Sequence, residues 1–362
     1  MSIKRKKIAV GMSGGIDSTF AAITLKEQGY NVIGISLHMF CKQHPAEKDE
    51  KTITGEFEDV KKICELLSIP YYNVDAENQF EKTIIKNFCE SYLSGLTPNP
   101  CVLCNKRIKW KLLLEKAREL GAEYIATGHY AEIEFQKKEN RYYLKKGKDK
   151  KKDQSYFLWQ LDQNDLAYTI FPLANFSKIE IGKKIEDYHL KISHKPESQE
   201  ICFIPNDDYK SYLRNNCKKK IHSGYILNLE GKKIGRHKGF PFYTIGQRRG
   251  LGLTSPHPLY VKEIRSKTNE IVVGPKDCLF GIELFADQCK WINFDEIIEP
   301  MRCRAKIRYN SPEANCTIFP QDTGVRVLFD EPILSITPGQ SVVFYENDNV
   351  IGGGIIQFGI AN

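Results

Sequence analysis

No window of this sequence approaches the roughly 18 consecutive apolar residues of a membrane-spanning helix. The first apolar run is Ile8-Ala9-Val10, cut off by Gly11, too short for the core of a secretory signal. These absences exclude a membrane-embedded class. They point to a cytoplasmic protein, or an organellar one that has lost a presequence. The 11 cysteines lack the regular spacing of a disulfide framework, so in a reducing compartment most are expected to be small core residues. One CxxC occurs, Cys101 to Cys104, and no second one follows with the spacing of a zinc site. Internal repeats are absent, and nothing in the composition indicates disorder.

What is present is enough for two or three domains: 362 residues, 41% of them hydrophobic. The formal charge is +8, from 53 basic and 45 acidic residues, an excess that favours a polyanionic partner. Lysines crowd positions 145–152, and Lys218-Lys219-Lys220 forms a second run. Arg302, Arg304, Lys306 and Arg308 alternate, which in a strand places all four on one face. A solvated lysine-rich surface explains any single run. Three of them, with aromatics such as Tyr243 and Tyr309, favour RNA.

Apolar periodicity predicts strands over 6–12, 31–37, 70–74 and 123–127, and helices over 16–28, 56–67, 80–93 and 105–120. Such alternation implies an α/β domain with a doubly wound parallel sheet. An antiparallel excursion is expected over 135–144, and helices over 155–161 and 179–188. After about residue 206 short β-like runs dominate, with frequent Gly and Pro. The expected division is a nucleotide-binding domain over 1–206, a small β-rich domain over 207–281 and a β-barrel-like domain over 282–362.

The strongest local signal is Gly11-Met12-Ser13-Gly14-Gly15-Ile16-Asp17-Ser18-Thr19, leaving a strand and opening a helix. Adjacent glycines let the backbone turn its N–H groups inward, the serines add hydroxyls, and the helix N-terminus adds partial positive charge. The string is a cradle for pyrophosphate. It lacks the lysine with which a Walker A loop reaches the outer phosphates. That argues against γ-phosphoryl transfer and fits attack on the α-phosphate, with pyrophosphate leaving. Asp17 would repel a bare phosphate, so it suits a Mg²⁺ partner or an orienting group.

Two further segments carry chemistry. Thr97-Pro98-Asn99-Pro100-Cys101-Val102-Leu103-Cys104-Asn105 lies before a predicted helix, whose N-terminus would stabilise a thiolate. Half a zinc site and a redox pair are the alternatives. Ser198-Gln199-Glu200-Ile201-Cys202-Phe203-Ile204 holds a cysteine between apolar residues, which on its own reads as a core cysteine.

The loop resembles the pyrophosphatase loop of the adenine-nucleotide α-hydrolases. Taken in order with TPNPCVLCN, ATGHYA at 126–131, KDQSYFL at 152–158, SQEICFI, the 239–253 segment and Arg308-Tyr309, the chain resembles the tRNA-specific 2-thiouridylases over nearly its whole length. The resemblance implies ATP-dependent 2-thiolation of a wobble uridine through an adenylated base. It implies an ATP site at Gly11, Met12, Ser13, Gly14, Gly15, Ile16, Asp17 and Ser18, with Leu37 and Gly128 near the adenosine. Asn99, Pro100 and Cys101 correspond to target-base contacts, and Lys152, Asp153, Gln154, Arg308 and Tyr309 to tRNA contacts. Cys104 corresponds to the nucleophile and Cys202 to the persulfide carrier. Implied partners are tRNAs for glutamate, glutamine and lysine, and a persulfide sulfur-donor protein.

Many members of the family carry Asp where this chain has Cys101, so no acid/base role transfers to it. Cys101, Cys104 and Cys202 together suggest a second sulfur route, through three irons of a [4Fe–4S] cluster; the persulfide route is preferred. Rivals are 4-thiouridine synthesis or amide ligation within the same superfamily, and an RNA-binding module with a degenerate nucleotide fold.

Overall fold

The computed structural model describes residues 6–39, 50–188, 201–217 and 221–361, with the backbone alone at 50–57 and 361. It divides into two units, one drawn from 1–84, 101–199 and 347–350, the other from 85–100, 200–346 and 351–362.

In the first unit the parallel sheet is buried on both faces at its centre, where apolar runs such as Ile8-Ala9-Val10 lie, and is less buried at its Tyr71–Asp75 edge. The strands are β1 (Lys7–Gly11), β2 (Asn31–His38), β3 (Tyr71–Asp75), β4 (Tyr124–Ala126) and, after the hairpin described next, β7 (Thr169–Ile170). They pair in the order β3-β2-β1-β4-β7, all parallel. Helix Ile16–Glu27 crosses from β1 to β2 and buries Phe20, Ile23 and Leu25 against Ile8, Val10 and Val32. Because β2 and β4 flank β1, the connections leave it in opposite directions, and the crevice at the carboxyl ends of these strands is where such sheets bind ligands.

The antiparallel excursion is a hairpin of β5 (Ala131–Gln136) and β6 (Arg141–Lys146). Asn349 and Val350 pair with Lys145 and Leu144 at its edge.

Two expectations are corrected here. The helix predicted over 155–161 is only a 3₁₀ turn, Ser155–Phe157. The buried Asp153 carboxylate accepts from the Ser155 N–H and hydroxyl and from the Gly147 N–H, fixing a tight turn instead. The helix predicted from 105 begins at Pro100, a residue suited to the first helical position. It runs as α (Pro100–Cys104), π (Asn105–Trp110) and α (Lys111–Glu119).

In the second unit β8 (Gly224–Leu227), β9 (Lys233–His237), β10 (Tyr260–Arg265) and β11 (Glu270–Gly274) form a sheet ordered β10-β11-β8-β9. The last six strands are β12 (Phe280–Trp291), β13 (Met301–Lys306), β14 (Ala314–Pro320), β15 (Val325–Leu334), β16 (Ser341–Glu346) and β17 (Asn349–Ala361). They run β12-β15-β14-β13-β16-β17, and pairing of β12 with β17 closes a barrel. Leu284, Ala286, Ala305, Ile318, Val327, Phe329, Val342, Phe344 and Ile356 fill its interior. Closure leaves no strand edge in the ring.

Candidate active site

The loop after β1 folds as its residues dictate. The Met12 N–H donates to Ile35 O (2.8 Å) and the Ser36 hydroxyl to Met12 O (2.8 Å), holding the loop's entry on β2. Gly14 takes φ +77°, the left-handed region that favours glycine. The Ser18 hydroxyl accepts from the Ser13 N–H (3.2 Å) and donates to Gly15 O (3.0 Å). Gly15 caps helix Ile16–Glu27 without a side-chain hydrogen bond. The first-turn N–H donors, which have no partner within a helix, are therefore left to a ligand by the cap residue.

Asp17 in that first turn is held from two distant segments. The Lys178 ammonium lies 2.8 and 2.9 Å from its two oxygens, and the Tyr130 hydroxyl donates to it at 2.7 Å. Neither partner was singled out by the sequence. Tyr130 is in turn locked through its backbone: its N–H donates to Gln154 Oε1 (3.1 Å) and its carbonyl accepts from the Gln154 N–H (2.9 Å). Gln154, a predicted tRNA contact, thus braces the segment beside the loop. Gly128 sits against the helix start so closely that a Cβ there would lie 2.7 Å from Asp17 C and 2.8 Å from Ser18 N. His129, packed near the rings of Trp110 and Phe171, is driven down to about 3, first by loss of solvent and then by the charge of Lys109. It is held in the neutral form at physiological pH.

Cys101 and Cys104 occupy one face of the helix that starts at Pro100, three residues apart. Cys104 is 6% exposed, its sulfur 4.0 Å from that of Met39; Cys101 is partly exposed. The helix dipole acts mostly within the first turn, so it acts more on Cys101 than on Cys104. The π stretch after Cys104 is tied down by Lys106 to Asp162 and Asp165, by Asn105 to Phe157 O (3.1 Å), and by the Trp110 indole to Thr169 (2.9 Å).

In the second unit the residues before this helix are fixed from the barrel. Gln340 donates to Thr97 O (2.9 Å) and Pro98 O (3.2 Å), and the Thr97 N–H donates to Pro338 O (2.9 Å). These bonds set the approach to Asn99 and Pro100. Ser198, Gln199 and Glu200 lie outside the described residues. Cys202 sits in a turn and is exposed, which overturns its reading as a core residue. Its neighbour Phe203 is the buried one, edge-on to Phe88 at 5.3 Å and beside Tyr212.

The basic runs are more internally neutralised than the sequence suggests. Lys145 lies 2.9 Å from Glu134, Lys148 2.9 Å from Glu180 and Lys150 2.8 Å from Asp348, while Lys146 is buried. The Lys152 N–H closes a turn on Asp149 O (3.0 Å). Lys218 to Lys220 lie outside the described residues. Strand β13 ends at Lys306, so Arg308 leaves the face of Arg302 and Arg304. Its guanidinium donates inward to Ile245 O (3.0 Å), Ser335 O (3.1 Å) and the Thr337 hydroxyl. Tyr309 carries the Lys306 ammonium over its ring at 5.3 Å.

An Arg308→Ala protein is expected to lose about 2 kcal/mol or more of stability, because three acceptors lose a charged donor. Chemical denaturation checks it, as a lower midpoint at unchanged slope. A midpoint equal to the parent's would show these bonds to be without net effect.

Among the described residues no three His, Cys, Asp or Glu side chains group as metal ligands. Asp17 is already held by Lys178 and Tyr130. No helix among the described residues is long and apolar enough to cross a membrane.

Three family models match the chain. They are a tRNA methyl transferase HUP domain over 6–206, a tRNA methyl transferase PRC-barrel domain over 210–275 and an aminomethyltransferase beta-barrel domain over 282–356. The chain is 47% identical to tRNA-specific 2-thiouridylase MnmA 2 of Thermoanaerobacter sp. (strain X514), over 97% of this chain and 98% of that one. It is 42% identical to tRNA-specific 2-thiouridylase MnmA of Acetivibrio thermocellus, over 98% and 100%. Among solved structures, U34-tRNA thiolase NcsA from Methanococcus maripaludis with its [4Fe-4S] cluster aligns with 59% of this chain and 66% of its own. That alignment has 21% identity and a TM-score of 0.35, too slight a likeness to bear on mechanism.

Proposed function

The chain belongs to the tRNA-specific 2-thiouridylase family and is a tRNA-uridine sulfurtransferase, and from that premise we propose how its residues carry the transfer. ATP binds at Gly11 to Ser18, with Leu37 and Gly128 beside the adenosine. The uracil O2 of the wobble position attacks the α-phosphate. An O–P bond forms, the Pα–O–Pβ bond breaks, and pyrophosphate leaves with the electron pair. Any Mg²⁺ arrives on the ATP phosphates as part of the substrate.

Cys202 then carries sulfur as a persulfide, loaded by a persulfide sulfur-donor protein. The terminal sulfur bonds to C2, and AMP departs with the former C2 oxygen. The Cys104 thiolate attacks the Cys202 Sγ, breaking the persulfide S–S bond and leaving 2-thiouridine and a Cys104–Cys202 disulfide. An external dithiol reduces that disulfide. The exposure of Cys202 supports loading by a partner protein. Asn99, Pro100 and Cys101 face the target base, and Lys152 and Tyr309 belong to the tRNA-binding surface, whose turns Asp153, Gln154 and Arg308 hold from within. The acceptors are the glutamate, glutamine and lysine tRNAs, and the compartment is the cytoplasm. The division at about 206 and 281 is retained as three functional parts.

The observation that carries the reading is the loop: a lysine-free, hydroxyl-lined glycine turn opening a helix at the carboxyl end of β1. It fits a pyrophosphate leaving group better than γ-transfer. With substrate tRNA present, labelled ATP is expected to yield AMP and pyrophosphate, resolved by chromatography. ADP as the main product would overturn the adenylation step.

A further inference from the structure

The loop's chemistry is incomplete as read from its own residues. It offers backbone donors and hydroxyls but no cation, and its one ionisable group, Asp17, carries the wrong sign for a phosphate. The structure supplies a cation from far along the chain. Lys178 reaches both oxygens of Asp17, at 2.8 and 2.9 Å, with its side chain 21% exposed.

The lysine comes from a fixed base. It is the first residue of helix Lys178–Glu186, whose cap Ser177 exchanges hydrogen bonds with Glu180. Its own N–H donates to Asp149 Oδ2 at 3.0 Å. A four-carbon stem on an anchored Cα delivers the ammonium to the loop while leaving it able to pivot. The carboxylate it rests on is fixed as well, by the Tyr130 hydroxyl at 2.7 Å; Tyr130 is 3% exposed and cannot swing away.

We propose that Lys178 is the phosphate-binding cation of the nucleotide site, parked on Asp17 and oriented there by Tyr130. This rests on the adenylation reading above and deepens it. In the free enzyme Lys178 cancels the charge of Asp17, so the loop does not repel the nucleotide. With ATP bound, the ammonium lies between Asp17 and the β- and γ-phosphates. As the Pα–O–Pβ bond breaks, negative charge grows on the departing pyrophosphate, where a prepositioned cation stabilises the transition state. Lys178 thus replaces, from outside the loop, the lysine that a Walker A loop carries within it. A purely structural reading has the pair only tying helix Lys178–Glu186 to helix Ile16–Glu27. It predicts that removing either partner has the same consequences.

The test is calorimetric titration of the full-length protein with inorganic pyrophosphate in EDTA, and with ATP. Lys178→Met keeps the stem and removes the charge. It is expected to weaken both ligands by about 10- to 100-fold, the value of a lost charge-assisted contact. Lys178→Arg, a second folded control, is expected to retain most of the affinity. Asp17→Asn is expected to bind metal-free pyrophosphate at least as tightly as the parent, because it frees the ammonium. Equal losses in Asp17→Asn and Lys178→Met, or unchanged affinity in Lys178→Met, would overturn the assignment while leaving adenylation standing. A parent protein that binds neither ligand would overturn both.

Discussion

A Cys202→Ser enzyme is expected to lose thiolation by about 10³-fold or more, the scale on which removal of a covalent-catalysis residue acts, while still cleaving ATP to AMP. It should accept no persulfide sulfur. Cys104→Ser is expected to lose turnover as completely for a different reason. It loads sulfur on Cys202 and cannot release it. The two environments support this division. Cys202 is exposed in a turn whose anchoring is done by Phe203 and Ile204, so a donor protein can reach it. Cys104 is buried on its helix beside Met39, shielded from adventitious sulfur donors. Persulfide-selective alkylation with peptide mass spectrometry reads both outcomes. Sulfur found on Cys104 in the Cys202→Ser protein would reverse the roles.

Gly128→Ala is expected to be the most damaging single-methyl change in the nucleotide site. The added Cβ would lie 2.7 and 2.8 Å from backbone atoms of Asp17 and Ser18, which cannot step aside as a side-chain tip can. Either the helix start moves away from its cradle geometry or β4 shifts at its carboxyl end. Misplacement on the ångström scale costs about 10²-fold in rate. AMP formation should therefore fall by about two orders of magnitude. A parental rate in Gly128→Ala would show that the close approach plays no part in the reaction.

What could be read from the sequence was what is local. The glycine-rich loop and the strand–helix alternation around it lie within short windows, and the structure has them close to where the pattern put them, the helices predicted over 105–120 and 155–161 excepted. The partners of those elements were not legible. Tyr130 and Lys178 meet Asp17 across 113 and 161 positions, and Gln340 meets Thr97 across 243. The period-2 pattern found β13 but carried it too far. Arg308 continues the alternation of Arg302, Arg304 and Lys306 after the strand has ended, and it turns inward. Strand β12 shows no clean alternation in the sequence, and its register shifts at three places along its pairing with β17. The lysine run over 145–152 looked like an open basic stripe. The β5–β6 hairpin brings Glu134 to Lys145, and Lys148 finds Glu180 on helix Lys178–Glu186. At Cys202, apolar neighbours suggested burial. A turn buries Phe203 and Ile204 and leaves Cys202 exposed.

The central claim is tested most directly by nucleoside mass spectrometry of tRNA from cells lacking this protein. The expected result is loss of 2-thiouridine derivatives from glutamate, glutamine and lysine tRNAs, restored by the parent protein and not by Cys202→Ser. Undiminished 2-thiouridine, or a loss confined to 4-thiouridine, would contradict the account.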